Sequence, residues 1–122
     1  MNPILLVATG GAIGAVLRYV AIQQVMMRLH PAPFPLGTML VNIAGSLAIG
    51  VLMAKFAAQE NTETARLFLV TGILGGFTTF SAFSWDALQL LQRGQLTQAA
   101  AYIGGSVVLS MIAVALGAWL VR

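Results

Sequence analysis

The chain has 122 residues, of which 59% are hydrophobic and only 7% are charged, and it contains no cysteine. A soluble domain carries about 25% charged residues, so the composition predicts an integral membrane protein with a single domain over residues 1–122. The lack of cysteine excludes disulfides and thiolate metal sites. The net charge of +3 rests on scattered lysines and arginines, which excludes a basic patch for nucleic acid.

Four apolar segments are long enough to cross a bilayer, which requires about 20 mainly apolar residues each. They cover residues 3–27, 36–57, 66–91 and 98–121. The runs are continuous rather than alternating, so they predict helices and not barrel strands. The expected fold is an all-α membrane protein with four transmembrane helices and both termini on one side. The prolines of residues 30–35 predict a break between the first two helices, and residues 92–95 predict a tight turn before the last.

Positive charge is distributed almost equally between the two predicted sides of the membrane. Lys55, Arg66 and Arg122 lie on the side of the termini, and Arg28 and Arg93 lie on the other. Because lysines and arginines in the loops set the orientation, this near-balance predicts insertion in either orientation. Closed two-fold symmetry is the commonest form of homo-oligomer, so an antiparallel pair is expected. The alternative is that the single extra charge suffices to fix one orientation.

Small residues recur within the apolar segments and predict close packing of helices rather than chemistry. Gly10 and Gly14 lie four residues apart in the first segment. Gly45 and Gly50 lie in the second segment, and Gly104 lies near the start of the fourth.

The third segment contains a stretch that is unusual for a membrane helix, TGILGGFTTFSAFS at residues 71–84. Its glycines favour non-helical backbone, and its hydroxyl side chains are polar at membrane depth. Irregular backbone is tolerated there only when it is buried in protein or lines a cavity. The stretch therefore predicts a broken third helix that builds an ion site. Phe77, Phe80 and Phe83 recur every third residue and predict one helical stripe.

Other polar groups lie inside the spans. Thr38, Asn42 and Ser46 are spaced four residues apart in the second segment, which places them on one helix face. Such groups either form interhelical hydrogen bonds or line an ion path, and the two N–H donors of Asn42 suit an anion. Arg18, well inside the first span, is expected to face a wet vestibule or to form a structural hydrogen bond; a snorkelling anchor is the alternative.

No enzymatic constellation occurs in the sequence, so we expect that the protein is not an enzyme. The single histidine, His30, lies in a loop, and no nucleotide-binding motif is present. Asp86 near the end of the third segment suits a helix cap, a partner for an arginine or a place at a pore mouth, and the sequence does not choose among these.

Three motifs stand out together: GGAIGAVLRY at residues 10–19, GTMLVNIAGSLAIG at residues 37–50 and GILGGFTTFSAFS at residues 72–84, of which the last is the most specific. They resemble the motifs of the Fluc/CrcB family of small bacterial fluoride channels. The resemblance covers all four spans. It implies an antiparallel, dual-topology homodimer in the bacterial inner membrane, with two separate pores that conduct fluoride passively and selectively.

The same resemblance implies the site residues. The ring edges of two phenylalanines and a set of polar side chains would line each pore: Phe80, Phe83, Asn42, Thr79, Ser81, Tyr102, Ser106 and Ser110. Arg18 would lie near a vestibule. Backbone carbonyls of Gly75 and Thr78 from both subunits would hold a structural sodium ion at the dimer centre. The chain departs from the family's usual Ser-Thr-Phe at Ala82, which removes one hydroxyl between the rings, and it has Asp86 at the place of a glutamate.

Two other functions are compatible with four short spans. A small proton-coupled multidrug exporter needs a membrane-embedded carboxylate, and the spans offer only Asp86. The positive charge of Arg18 in the first span would also repel a cationic drug. A non-transporting assembly subunit predicts that replacing Asn42, Phe80 or Phe83 affects packing alone.

Overall fold

The computed structural model describes residues 1–29 and 34–122, so most of the predicted break at residues 30–35 lies outside the described residues. The helices are α1 (Pro3–Arg28), α2 (Leu36–Ala57), α3 (residues 63–77), α4 (Phe80–Gln92) and α5 (Leu96–Leu120). By length and composition, α1, α2, the pair α3–α4 and α5 can each cross a membrane. The described residues contain helices and no strands, so the prediction of an all-α protein with four spans is confirmed.

The helix ends follow from local sequence. The side chain of Asn2 accepts a hydrogen bond from the Ile4 N–H at 2.7 Å, which caps the start of α1. The turn between α4 and α5 uses Gly94 at φ 74°, a left-handed conformation that glycine adopts without steric cost. Its N–H donates to the Leu91 carbonyl at 3.1 Å, and this closes the predicted tight turn.

Close backbone contacts join α1 to α3 and α2 to α5. A Cβ atom placed on Gly10 would lie 2.9 Å from Gly72 Cα, and one placed on Gly50 would collide with the Val114 carbonyl oxygen. Real Cβ atoms do not approach other atoms so closely, so only glycine fits at these crossings, as the small-residue pattern predicts. Gly104 is different because nothing lies within 4 Å of the position of its Cβ. Close packing does not explain that glycine.

The most buried apolar cluster lies between α4 and α5. It is centred on Tyr102, which is fully buried, and on Leu90, with Ala87 and Ala99 beside them. Phe83 packs against this cluster from the α4 side. The cluster holds α4 against α5, and Phe83 extends this packing toward the start of α4.

The third span is irregular over much of its length. Residues Arg66–Leu74 form a π-helix, a wider form that is rare and is frequently found at functional sites. Thr78 and Thr79 then adopt extended backbone, with φ −88°, ψ 155° and φ −151°, ψ 120°. Because this interruption separates Phe77 from Phe80, the prediction of one continuous phenylalanine stripe is wrong. Phe80 and Phe83 share α4, and their ring centroids lie 5.6 Å apart.

Candidate ion pathway at the interruption of the third span

The extended segment is held by the side chain of Asn42 on α2. The Asn42 Nδ2 donates to the Thr79 carbonyl at 3.0 Å, and the Thr79 N–H donates to Asn42 Oδ1 at 2.8 Å. One amide thus satisfies both main-chain groups of an extended residue, as a neighbouring strand would. At membrane depth an unpaired backbone group is costly, so this pair of bonds makes the interruption possible.

Thr79 also starts the next helix. Its Oγ1 accepts a hydrogen bond from the Ala82 N–H at 3.1 Å and lies 3.2 Å from Ser81 Oγ. Threonine is a preferred residue at this position because its hydroxyl satisfies an N–H that has no helical partner. The main chain of Thr79 is therefore bonded to α2 while its side chain caps α4.

The interruption removes the usual donors from two carbonyl groups. In a continuous α-helix the Thr79 N–H would donate to Gly75 and the Ala82 N–H to Thr78. Both N–H groups instead donate to side chains, those of Asn42 and Thr79. Carbonyl oxygens are the ligands that selectivity filters offer to hard monovalent cations. The carbonyls of Gly75 and Thr78 therefore fit the sodium ligands that the family resemblance implies.

The neighbouring carbonyls in α3 already accept hydrogen bonds. The Leu74 carbonyl accepts from both the N–H and the hydroxyl of Thr78, at 3.0 and 2.9 Å. The Gly76 carbonyl accepts from Arg18 Nε on α1 at 3.0 Å. A guanidinium is favourable at this end of a helix because it opposes the partial negative charge of the last carbonyls. Arg18 thus makes the structural hydrogen bond that was one of its two expected roles, and its vestibule remains a prediction.

A cavity of about 280 Å³ opens beside the interruption, between α2, α4 and α5. Its lining includes six of the predicted pore residues: Asn42, Thr79, Phe80, Phe83, Ser106 and Ser110. Ser46, Ile49, Thr78 and Val107 complete it. Ser46 belongs to the polar stripe of α2, whereas Ile49 and Val107 carry no signal that would distinguish them from other apolar residues of a span.

Ser106 is the most distinctive group in this cavity. The residue is only 5% exposed, and its hydroxyl has no hydrogen-bond partner within the described residues. Leaving a buried polar group unpaired costs about 1–3 kcal/mol, so a donor in this position is suited to a polar ligand. Asn42 gives one N–H to Thr79, and its amide carries a second one.

Tyr102 and Ser81 lie next to the cavity rather than among its lining residues. The Tyr102 ring lies beneath Phe83, with the centroids 5.2 Å apart, and its hydroxyl donates to Asp86 Oδ2 at 3.2 Å. Asp86 is thus the hydrogen-bond acceptor of a buried tyrosine, a role that was not among those expected from the sequence. Ser81 is exposed beside Thr79. Phe80 is among the lining residues of the cavity, although the residue as a whole is 78% exposed.

These features define a small, multi-pass membrane protein with a largely apolar cavity beside an interrupted helix, into which a few hydroxyl and amide groups project. The family model described as "CrcB-like protein, Camphor Resistance (CrcB)" matches residues 5–118, and the chain belongs to that family. The expected family and the expected multi-pass bacterial membrane protein are thus confirmed.

Relatives match over the full length of the chain. The "Fluoride-specific ion channel FluC" of Rhizobium meliloti (strain 1021) is 52% identical over 100% of this chain and 98% of the relative. The protein of the same name from Agrobacterium fabrum is 53% identical over 96% of this chain and 94% of the relative. That of Hyphomonas neptunium is 50% identical over 100% and 97%. These relatives are named as ion channels and not as enzymes.

Proposed function

We propose that the chain is a passive, selective fluoride channel of the bacterial inner membrane. The observation that carries the proposal is the cavity in which the buried hydroxyl of Ser106 meets the Asn42 amide and the rings of Phe80 and Phe83. The names of the full-length relatives support fluoride as the ion.

The chemistry of the cavity suits a small anion that must shed its water. Hydroxyl and amide donors replace part of the hydration shell, and the positive edges of aromatic rings add weaker contacts. Conduction needs sites that bind well enough for entry and weakly enough for exit, and this mixture meets both needs. No acidic residue is among the described residues that line the cavity, so no ionised carboxylate repels an anion there.

A second copy of the chain completes this proposal. Gly75, Phe80, Ser81 and Ser84 are exposed in the third span, and a carbonyl without its helical donor is unsuited to lipid. A homodimer in which this part of the span packs against a second copy covers the polar groups. Because the balance of positive charge allows both orientations, the two copies lie antiparallel, and each brings its own cavity, so that one dimer contains two pores.

The carbonyls of Gly75 and Thr78 would then face their equivalents across the two-fold axis. Residues from both subunits would hold a sodium ion, which supplies the positive charge that keeps these carbonyl dipoles together. The role of the chain is to present the oxygens: Asn42 and Thr79 take the N–H groups that would otherwise bond to them.

Bacterial growth provides the functional test. In a bacterium whose own fluoride export has been removed, expression of the chain should allow growth in fluoride medium, and expression of Phe83→Ile should not. Phe56→Ile, at the far end of α2 and outside the cavity lining, is the matched control and should behave as the original chain does. Equal protection by Phe83→Ile and the original chain would contradict the proposed pore, and no protection by the original chain would contradict the function.

A further inference from the structure

We propose that Asn42 is a positioning residue for the cation site as well as a donor in the fluoride cavity. This inference rests on the proposed function, because it concerns the sodium ion between two subunits. Asn42 lies in the second span, one helix away from the carbonyls that would hold that ion. It acts on them through Thr79.

The first step is the competition for the Thr79 N–H. This group has two possible acceptors, the Gly75 carbonyl in a continuous α-helix and Asn42 Oδ1, to which it donates at 2.8 Å. The choice of Asn42 leaves the Gly75 carbonyl open. Without the amide, the Thr79 N–H is unpaired at membrane depth, and closing the helix onto Gly75 is the nearest way to satisfy it.

The second step is that Asn42 holds both sides of Thr79. Its Nδ2 donates to the Thr79 carbonyl at 3.0 Å, so the residue cannot rotate back into helical geometry without breaking two bonds. Arg18 contributes differently, because it bonds to the Gly76 carbonyl and takes no donor away from the cation site. Asn42 is therefore the side chain that sets whether the Gly75 carbonyl is available.

The third step is that the cavity and the proposed cation site have residues in common. Asn42 and Thr78 both line the cavity, and the carbonyl of Thr78 is one of the proposed sodium ligands. A change at Asn42 should thus affect fluoride conduction and sodium binding together. A change at a cavity residue that makes no hydrogen bond to the interrupted segment, such as Ser106, should affect conduction alone.

The test compares the thermal unfolding midpoint of the purified protein in sodium chloride and in the chloride of N-methylglucamine, a cation too large for a carbonyl site. The measured quantity is the difference between the two unfolding midpoints of the same variant. A general loss of stability lowers both midpoints and therefore does not change this sodium-dependent shift. The original chain should show a clear shift to higher temperature. Asn42→Ala should lose more than half of that shift.

Ser106→Ala is the matched control. Ser106 lines the same cavity, but its hydroxyl makes no hydrogen bond to the interrupted segment or to any other described residue. This variant should keep the full sodium-dependent shift while conducting fluoride more slowly. Where Asn42→Ala gives no folded protein, Asn42→Leu provides the same test, because a side chain of similar size without an acceptor leaves the Thr79 N–H free to bond to Gly75.

A conservative variant separates the two roles of the residue. Asn42→Asp keeps an acceptor for the Thr79 N–H and places a carboxylate beside the anion path. It should keep the sodium-dependent shift and lose fluoride flux. The same shift in Asn42→Ala as in the original chain would overturn the inference, as would an equal loss in Asn42→Ala and Ser106→Ala.

Fluoride efflux measured on the same samples distinguishes a failure of this inference from a failure of the proposed function. An original chain that shows fluoride flux but no sodium-dependent shift would overturn the inference and leave the channel in place. An original chain that shows the shift, and loses it in Asn42→Ala, but conducts no fluoride would support the inference and overturn the channel.

Discussion

At the scale of single residues, the two phenylalanines of α4 have unequal surroundings. Phe83 is packed between the Tyr102 ring and the cavity, whereas Phe80 is mostly exposed at the face that we assign to a second subunit. Both rings present edges of positive partial charge. Their role in the pore stays a prediction.

Replacing either ring by isoleucine tests that role. Phe80→Ile and Phe83→Ile keep an apolar side chain but remove the ring edge, and fluoride efflux from liposomes should fall about tenfold or more, a change of ~1.4 kcal/mol in the barrier. The folded dimer should persist, as measured by size-exclusion chromatography. Undiminished efflux from a well-folded variant would exclude the rings from the path.

The Tyr102–Asp86 pair predicts a coupled effect on stability. Asp86→Ala leaves the buried Tyr102 hydroxyl without its acceptor, at a cost of about 1–3 kcal/mol, whereas Tyr102→Phe removes the hydroxyl itself. The double variant should be less destabilised than the sum of the two single variants, as measured by thermal unfolding. Strictly additive losses would show that the hydrogen bond at 3.2 Å contributes nothing.

At the scale of elements, the crossing of α1 and α3 depends on glycine. A Cβ on Gly14 would lie 2.8 Å from the carbonyl carbon of Ile73 and 2.9 Å from Phe77 N. Gly14→Ala should therefore force the helices apart and cost about 1–3 kcal/mol or more.

The matched control for this crossing is Gly104→Ala in α5, where nothing lies within 4 Å of the new Cβ. It should leave stability unchanged or raise it by about 0.5–1 kcal/mol, because alanine is the better helix former. Thermal unfolding of the two variants gives the comparison. Similar midpoints for both would contradict the proposed importance of the glycine contact.

The sequence predicts the spans well because each is a long apolar run, and the bounds of α2, Leu36–Ala57, agree at both ends. It also predicts an interruption within residues 71–84. The sequence does not predict the π-helix at Arg66–Leu74, because no residue type there distinguishes the wider hydrogen-bonding pattern from that of an α-helix.

The site is predictable where polar residues stand out against apolar surroundings. Asn42 is such a residue, whereas Ser106 and Ser110 are predicted by the family resemblance, and all three line the cavity. The partners of the polar groups could not be predicted. That the amide of Asn42 bonds to Thr79, and Arg18 to Gly76, depends on how three helices cross, which spacing along one chain does not encode.

At the scale of the whole molecule, insertion in both orientations can be tested directly by labelling a single introduced cysteine. The chain has no cysteine, so a single Gln59→Cys in the exposed turn after α2 reports the side on which that turn lies. About half of the molecules should react with a membrane-impermeant thiol reagent in intact cells, because the positive charges are nearly balanced. All should react once the membrane is permeabilised.

Added charge supplies the contrast for this measurement. In the same Gln59→Cys background, Asn61→Arg and Thr64→Arg place two more positive charges on the side of the termini. They should shift most molecules to one orientation and reduce fluoride transport if the pore requires antiparallel pairs. Complete or absent labelling of the unmodified background would contradict dual topology.

The most direct measurement of the central proposal is ion efflux from liposomes that contain the purified protein, with fluoride and chloride compared under a potassium ionophore. The account predicts rapid loss of fluoride and no loss of chloride, without any added energy source. Equal loss of both ions would contradict the selectivity that we assign to the cavity. Loss of neither would contradict the channel itself and favour a subunit that does not transport ions.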